Sequence, residues 1–363
     1  MAFSWQQCPK PIIGLAPMDG LTDFAYRQIH AKYGKPAVMF TEFTNVEGMF
    51  MSVHDHLFND LRFHISQRPI IAQIFGSTPE YFYKAAIVCA ELGFDGIDIN
   101  MGCPAKNVAH HGGGAALIAK PELAKEIVRS VKQGIQDWVN GKTITEIGLD
   151  DIKLARIDEL KTFSEANAAT REPLPVSVKT RLGVEEVTIE EWVKHLLEVE
   201  PTNITLHGRT LRQMYTGSAD WEAIGRGAAI IKTTNTTVLG NGDVSSREDA
   251  LRKIAQYKLD GALIARASMG NPFIWKNEAI DFTPTLKLQI ALEHAQLHAQ
   301  TKNEKMFLQM RKHFSFYVSN FPNSNEIKIK LIQTKTIEEA EQIIVESIDR
   351  LALSQELIHA NPS

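Results

Sequence analysis

The sequence contains few cysteines. Only Cys8, Cys89 and Cys103 occur in 363 residues, and no two of them share a C-x-x-C spacing. This distribution excludes a zinc knuckle and a cysteine-ligated iron–sulfur cluster. An odd number of cysteines without a disulfide framework is typical of a reducing compartment. We therefore expect a cytoplasmic protein without a metal site.

Long apolar runs and a strong excess of positive charge are also missing. No segment approaches the roughly 18 apolar residues of a membrane-spanning helix. The N-terminal segment MAFSWQQCPKP has no basic region followed by an apolar stretch, so we expect no signal peptide. The net charge of -4 argues against a globally basic nucleic-acid binder but leaves room for a local basic face. We expect no membrane partner.

Short apolar segments alternate with amphipathic ones between about residue 10 and residue 275. The predicted strands are Ile12–Ala16, Ala37–Phe40, Ile70–Phe75, Gly96–Ile99, Pro175–Val178, Asn203–Leu206, Thr237–Leu239 and Ala262–Ile264. The predicted helices between them include Asp23–Tyr33, Pro79–Leu92, Pro121–Gln133, Ile189–Val199 and Ser246–Lys258. This alternation predicts an α/β fold, either a closed (β/α)8 TIM barrel or a doubly wound sheet.

Polar side chains follow nearly every predicted strand. They are Pro17-Met18-Asp19, Glu42, Gln73, Asn100 with Cys103, Lys179 with Arg181, His207 with Arg209, Asn241-Gly242-Asp243, and Arg266. In a barrel all strand ends surround one cavity, whereas in an open sheet only those near the switch point meet. Solvated loops would carry Glu, Lys and Ser at random rather than amides, imidazole, guanidinium and a thiol. The pattern therefore favours the barrel.

Two segments lie outside the barrel pattern. Residues 136–174 are longer than a helix-to-strand loop and contain a helix-like stretch, Leu149–Ser164. Residues 276–363 have helical periodicity in Leu286–Lys302, Lys305–Phe321 and Ile337–Ile358. We predict a catalytic barrel over residues 1–275, with an inserted excursion at about 136–174, and an all-α domain over residues 276–363.

Cys103 is the strongest candidate for a reactive group. It lies in a Gly-Cys-Pro turn directly after a predicted strand, where α/β barrels place chemistry. A free cysteine is more often a small buried packing residue. The neighbouring Asn100 and Lys106 are polar, and they favour a site over a core position.

A second candidate site is a phosphate site. The turn Gly240–Asp243 contains two glycines whose backbone N–H groups can approach a phosphate, although Asn-Gly turns are common in any fold. Arg266 follows the eighth predicted strand, and TIM barrels frequently bind phosphate at the loops after strands seven and eight. Lys179 and His207 face the same cavity in a barrel, but a surface lysine and a packed histidine remain alternatives.

These segments resemble the tRNA-dihydrouridine synthase family. The similarity is carried, in the family's order, by LAPMDGLTDFAYR (15–27), TEF (41–43), AQIFGSTPE (72–80), DGIDINMGCPAKNVAHHGGGAAL (95–117), VSVKTRLG (176–183), TLHGRT (205–210), GNGD (240–243) and ARASMGNPFIW (265–275). The resemblance implies a barrel with bound FMN that reduces the C5=C6 bond of specific uridines in tRNA, with NADPH as electron donor. Reduced FMN would give a hydride to C6, and Cys103 would give a proton to C5. An ordinary thiol, with a pKa of about 8.5, is protonated at neutral pH as this role requires.

The resemblance also implies a role for each matching residue. The expected cofactor-binding residues are Pro17, Met18, Asp19, Gln73, Lys179, His207, Asn241, Gly242, Asp243, Ala265 and Arg266. The expected substrate-binding residues are Asn100, Lys106, Arg181 and Arg209 at the barrel and Arg311, Lys312, Lys328 and Lys330 in the tail. The sequence departs from the family at Ala265-Arg266-Ala267, where glycine usually precedes the arginine.

The tail supplies a local basic segment. Residues 302–335 contain seven Lys or Arg against two Glu, interleaved with Phe307, Phe314, Phe316, Tyr317 and Phe321. Such a face suits phosphate contacts with tRNA. The alternative is a solvated helix face over an aromatic core. We expect the protein to act as a monomer.

Two other functions fit parts of the pattern. An FMN barrel reductase of a free pyrimidine, similar to dihydroorotate or dihydropyrimidine dehydrogenases, carries Asn-x-Ser-Cys-Pro-Asn/His near this position, whereas this chain has Asn-Met-Gly-Cys-Pro-Ala. A non-catalytic RNA-binding barrel is the other. The joint presence of Cys103, Lys179, His207 and Arg266 argues against it.

Overall fold

The computed structural model describes residues 3–53, 55–104, 112–165, 171–301 and 304–360, without the side chains of 304–306 and 353–360. Lys106 lies outside the described residues, as do residues 166–170 of the predicted excursion. The described part of the chain contains nine strands: β1 (Ile12–Leu15), β2 (Met39–Phe40), β3 (Thr44–Asn45), β4 (Ile70–Phe75), β5 (Gly96–Met101), β6 (Val176–Arg181), β7 (Asn203–His207), β8 (Thr237–Asn241) and β9 (Gly261–Ile264).

Parallel pairing closes eight of these described strands into a barrel. The order is β2-β1-β9-β8-β7-β6-β5-β4, and β2 pairs with β4 to complete the ring. The short strand β3 pairs with β4 as an addition. All eight predicted strands are present in the closed ring, so the TIM-barrel prediction is confirmed.

The helices of the barrel part are α1 (Phe24–Tyr33), α2 (Val46–Met51), α3 (Pro79–Glu91), α4 (Pro121–Val139), α5 (Asp151–Ser164), α6 (Ile189–Leu197), α7 (Trp221–Ile231) and α8 (Arg247–Gln256). The tail contains α9 (Pro284–Thr301), α10 (Met310–Tyr317), α11 (Ser324–Leu331) and α12 (Ile337–Ala360). Short 3-10 helices cover His56–Leu61, Ile65–Gln67, Gly114–Ala119, Ile144–Glu146, Arg266–Ser268 and Glu304–Gln309.

The helix predictions were wrong in places. The predicted helix Lys305–Phe321 divides into a 3-10 helix and α10. Helix α7 was not among the helices named from the sequence, and its glycines at 225 and 227 weaken its helical pattern. Gly227 allows close packing, since a Cβ there would lie 2.9 Å from Ile189 Cγ1 and 3.0 Å from Leu206 Cδ1. The Asp220 side chain caps α7 by accepting from Ala223 N.

The longest element that lies wholly within the described part of the 136–174 excursion is helix α5. Its Lys161 Nζ donates to Glu91 Oε1 over 2.6 Å, which joins α5 to α3. The guanidinium of Arg62 stacks over the Phe163 ring at 4.5 Å and joins α5 to the segment after His56–Leu61. The excursion therefore packs as a helix on the outside of the barrel.

The chain divides into two compact units. The first contains residues 1–23 and 36–266, and the second contains residues 24–35 and 267–363. This division places α1 with the tail helices and falls after Arg266 rather than after residue 275. Ile29 of α1 shares a buried core with Leu288, Phe314 and Leu331 of the tail. Within the described ranges, none of the helices combines the length and the apolar character that crossing a membrane requires.

Candidate active site

The register of the barrel strands brings polar side chains together at one end. Gln73 of β4 lies opposite Asp98 of β5, which lies opposite Ser177 of β6. Two residues further along, Asn100 lies opposite Lys179. Side chains two positions apart on a strand share a face, so these residues form two successive polar layers inside the barrel.

Cys103 lies on a turn that is fixed by Asn100. The Asn100 Oδ1 atom accepts from Gly102 N and from Cys103 N, both over 2.9 Å. Cys103 is 8% exposed, whereas Cys89 is 0% exposed. Cys103 is therefore largely buried but is not fully enclosed, as Cys89 is.

A chain of hydrogen bonds continues from Asn100 into the barrel. Asn100 Nδ2 donates to Gln73 Oε1 over 3.1 Å, and Gln73 Nε2 donates to Asp98 Oδ2 over 2.7 Å. Ser177 Oγ donates to the other carboxylate oxygen of Asp98 over 2.6 Å. Complete burial is the largest effect on the pKa of Asp98 and raises it to about 6. The hydrogen bonds from Ser177 and Gln73 and the charge of Lys179 act in the opposite direction and limit the rise.

Lys179 is a half-buried cation at this level of the barrel. Burial and the nearby Arg181 lower its pKa to about 8, while Asp98 and Cys103 oppose the shift. Within the described ranges its ammonium group makes no hydrogen bond or ion pair. A half-buried cation without a hydrogen-bond acceptor from the described residues fits a site that receives an anionic or strongly accepting ligand.

Arg181 joins two loops of the mouth. Its Nε donates to Gly102 O over 2.6 Å, and its Nη1 donates to Thr210 O and Met214 O over 2.9 and 2.8 Å. The side chain is 1% exposed, and burial lowers its pKa to about 10. Arg181 therefore holds the cysteine turn against the loop after β7, and its expected contact with substrate stays a prediction.

His207 ends the neighbouring strand β7, Arg209 follows it, and Arg266 follows β9. Burial, together with Lys179, Arg181, Arg209 and Arg266, holds the pKa of His207 well below its usual range, so the imidazole is neutral. Asp243 Oδ2 accepts from Arg209 Nη2 over 2.6 Å, and Asp243 Oδ1 accepts from Arg266 Nη2 over 2.8 Å. The Asp243 carboxylate thus fixes two guanidinium groups, a role that sequence analysis did not assign to it.

The turn after β8 has no space for a side chain at Gly242. Gly242 has φ +124°, and a Cβ there would lie 2.8 Å from Ala219 Cβ and 3.2 Å from His207 Cδ2. Asp243 has φ +47°, so two consecutive residues leave the usual backbone regions. Arg266, with a side chain 65% exposed, opens the loop after β9. A glycine turn and an exposed guanidinium group on adjacent loops fit a phosphate group.

The remaining predicted cofactor residues lie on the same rim. Leu15 of β1 pairs with Ile264 of β9, which places Pro17–Asp19 and Ala265 after neighbouring strands. Met18 N donates to the Thr22 hydroxyl over 2.9 Å. Asn241 Nδ2 donates to Leu263 O over 3.0 Å, so this amide supports the turn from within. Within the described ranges, no group of three or more His, Cys, Asp or Glu side chains is arranged to hold a metal ion.

The predicted tRNA-binding residues of the tail lie in the second unit. Arg311 donates from Nε to Thr334 O over 3.0 Å, so it supports the end of α11. Lys330 Nζ pairs with Glu326 Oε1 over 2.7 Å. The aromatic residues Phe307, Phe314 and Tyr317 are buried in the helical core, as the aromatic-core alternative predicts for them.

Sequence analysis missed Asp98 and Ser177 as members of the site. The available signal was the spacing of Asp98 and Asn100, which puts both on one strand face that ends at the cysteine turn. Tyr215 was also missed. Its ring lies 5.9 Å from the Arg181 guanidinium, and its side chain is 67% exposed.

A closed parallel barrel whose strands end in a buried thiol, amides and cations has the architecture of a TIM-barrel enzyme. A protein-family model described as "Dihydrouridine synthase (Dus)" matches residues 14–166 and 154–353 of this chain. The chain belongs to this dihydrouridine synthase family. It is 32% identical over 352 residues to a "Probable tRNA-dihydrouridine synthase" of Staphylococcus aureus, covering 94% of each chain. It is also 32% identical to "Probable tRNA-dihydrouridine synthase 2" of Bacillus subtilis, covering 94% of this chain and 95% of that protein.

Comparison with solved structures agrees on the fold. Histamine dehydrogenase from Rhizobium sp. 4-9 superposes with a TM-score of 0.51 at 14% identity, over 79% of this chain and 49% of that chain. This chain therefore spans about half the length of that enzyme. The likeness supports the barrel architecture.

Proposed function

We propose that this protein is a tRNA-dihydrouridine synthase that reduces the C5=C6 bond of specific uridines in tRNA, with bound FMN as cofactor and NADPH as electron donor. One observation carries the proposal. The thiol of Cys103 and a turn suited to phosphate follow strands of one closed barrel and open at the same end. Membership of the dihydrouridine synthase family supports it.

The residues of the mouth fit FMN. Gly242, the Asp243 backbone and Arg266 would hold the phosphate, and Asn241 and Ala265 would line its approach. Pro17, Met18 and Asp19 would line the flavin ring, with Gln73 at its pyrimidine edge. Lys179, which lacks a hydrogen-bond acceptor within the described ranges, would face the electron-rich part of the ring beside neutral His207. Bound FMN supplies the hydride for C6 of uracil.

The protein supplies the proton. Cys103 would donate it from Sγ to C5 of the uracil as general acid. Asn100 holds the turn through its Oδ1 atom and keeps a second N–H on Nδ2 that is not used within the described structure. That N–H would donate to the uracil ring. Arg181 and Arg209 would line the pocket that holds the uracil base. Arg181 also fixes the backbone of the cysteine turn through Gly102 O.

The tRNA would bind along the tail and present one nucleotide to the barrel. A uracil inside a folded tRNA reaches a buried thiol only when it leaves its stack. Lys106, Arg311, Lys312, Lys328 and Lys330 would contact the phosphate backbone. We propose that the protein is cytoplasmic and acts as a monomer. Light scattering of the purified protein tests the monomeric state.

The direct test uses purified protein, NADPH and tRNA from a strain that lacks the gene. We expect a yellow protein and dihydrouridine in the digested tRNA by mass spectrometry, with the modified position read by primer extension. Free uracil and orotate are parallel substrates, and NADH is a parallel donor. Reduction of a free pyrimidine without reaction on tRNA would establish the alternative reductase. A colourless protein that binds tRNA and forms no product would establish a non-catalytic barrel.

A further inference from the structure

Asp98 is buried in the barrel, away from the turn that carries Cys103, and is 0% exposed. Its carboxylate is connected to that turn through Gln73 and Asn100. We propose that Asp98 is a positioning residue that sets the orientation of both side-chain amides and thereby orders the cysteine turn. The proposal rests on the proposed function for its catalytic meaning, but its structural content does not require tRNA.

The two ends of the hydrogen-bond chain have opposite requirements. A carboxylate only accepts, and a backbone N–H only donates. Asp98 Oδ2 therefore requires an N–H from Gln73, while the Gly102 and Cys103 N–H groups require an oxygen from Asn100. Asp98 is ionised at neutral pH, since its pKa is raised only to about 6.

The polarity of the two amides follows from these ends. Gln73 turns its nitrogen to Asp98, so its Oε1 faces Asn100. Asn100 then turns its nitrogen to Gln73, so its Oδ1 faces the turn. If either amide rotates by half a turn, two acceptors or two donors meet in a buried place, which disfavours the rotated arrangement.

The orientation has a consequence for ligands. Gln73 Nε2 and Asn100 Nδ2 each keep one N–H that is not used within the described structure. With Asp98 in place, both amides offer donors rather than acceptors. Asp98 and the N–H groups of the turn thus impose the same orientation on the two amides from opposite ends, although Asp98 is two residues before Asn100 and five before Cys103 in the chain.

The first test measures the rate at which iodoacetamide modifies Cys103, by peptide mass spectrometry on the full chain at pH 8 with excess FMN. Cys89, which is 0% exposed, reports global opening in the same samples. Asp98→Ala should raise the Cys103 rate about tenfold with Cys89 still protected, because the turn loses its buried support. Asp98→Asn should stay within about threefold of the wild type, because its oxygen still accepts from Gln73.

Ser177→Ala is the matched control for Asp98→Ala. It removes the other hydrogen bond of the Asp98 carboxylate and leaves the chain through Gln73 intact. Its Cys103 rate should match the wild type. If Ser177→Ala and Asp98→Ala raise the rate equally, general loosening of the barrel explains the effect and the proposal is wrong.

The second test reverses the polarity and remains decisive if Asp98→Ala unfolds. Asn100→Asp places an acceptor against Gln73 Oε1, so this variant should also raise the Cys103 rate about tenfold. When Asn100→Asp is combined with Asp98→Asn, Gln73 can rotate so that its N–H donates to residue 100 and its oxygen accepts from residue 98. Every group then has a partner again, so the Cys103 alkylation rate of the double variant should be within about threefold of the wild-type rate. A double variant as reactive as Asn100→Asp would overturn the proposal. Because the alkylation rate requires neither NADPH nor tRNA, this outcome is separate from failure to form dihydrouridine.

Discussion

The backbone N–H of Cys103 donates to Oδ1 of Asn100 over 2.9 Å, and this bond joins the thiol to the polar interior of the barrel. The strand that carries Asn100 pairs with the strand that carries Lys179, residue against residue. The turn that carries the thiol is therefore anchored beside a half-buried cation and two oriented amides. A general acid needs such positioning, since proton transfer requires contact with the reacting carbon.

The first prediction concerns this thiol. Cys103→Ala should retain the fold, the yellow colour and tRNA affinity but lose about 10²- to 10⁴-fold in the rate of dihydrouridine formation, the usual contribution of a general acid. Mass spectrometry of digested tRNA after single turnover measures the rate. Cys8→Ala, which removes a half-buried thiol outside the site, is the control and should react normally. Normal product formation by Cys103→Ala would disprove the proton-donor role.

The second prediction concerns Arg266 as a phosphate ligand. Arg266→Ala should weaken FMN binding about 10- to 100-fold, because a charge-assisted hydrogen bond contributes about 1.5–3 kcal/mol. The affinity for riboflavin, which has no phosphate, should not change. Arg252→Ala is a matched control, since both arginines are exposed and each pairs with an aspartate. Fluorescence titration with both flavins checks this, and an equal loss for FMN and riboflavin would remove Arg266 from the phosphate site.

The strands could be predicted because each is a short apolar run bounded by turn residues. The site was predictable in part because barrel geometry brings strand ends together, so residues such as Gln73 and His207 could be grouped from chain position alone. The roles of Asp98 and Asp243 could not be predicted. Both depend on side-chain partners from other strands or loops, Gln73 and Ser177 for one and Arg209 and Arg266 for the other. Such partners meet only because of the way in which strands and loops are aligned in the folded barrel. The sequence of a single segment contains no information on that alignment.

The third prediction separates backbone strain from steric contact at Gly242. Gly242→Ala and Gly141→Ala both place a methyl group on a backbone with strongly positive φ, +124° and +112°. The added Cβ at 242 would lie 2.8 Å from Ala219 Cβ, whereas nothing lies within 4 Å at 141. Gly242→Ala should therefore be about 1–3 kcal/mol less stable than Gly141→Ala and should lose FMN. Urea unfolding and flavin content measure both effects, and equal losses would show that the turn tolerates a side chain.

The fourth prediction concerns tRNA binding by the tail. Lys328→Gln with Lys330→Gln should lower tRNA affinity and reduce the slope of log K against log salt by about one for each phosphate that the variant no longer neutralises. Lys194→Gln, on the exposed side of α6 in the barrel unit, is the control and should leave the slope unchanged. Filter binding between low and moderate salt measures the slope. An unchanged slope in the double variant would place the tRNA-binding face on another surface.

The last prediction concerns acid stability of the helical unit, where His30 of α1 is buried. Its Nδ1 accepts from Trp275 Nε1 over 2.9 Å, and its ring lies 4.4 Å from that of Tyr26. Burial, with His294 nearby, lowers the pKa of His30 to about 3, against 6.5 for an exposed histidine. The folded state therefore resists a proton that the unfolded state binds below pH 6.5.

The sign follows directly. The stability due to neutral His30 is fully present above pH 6.5 and falls by about 1.4 kcal/mol for each pH unit below it. His30→Asn keeps an acceptor for Trp275 and does not titrate, so its unfolding free energy should fall less steeply between pH 6 and pH 4.5, by close to one proton. His56→Asn, which replaces an exposed histidine of the barrel unit, is the control for the substitution itself. Urea unfolding across this pH range provides the measurement, and identical slopes for His30→Asn and the wild type would show that His30 takes up its proton without unfolding the unit.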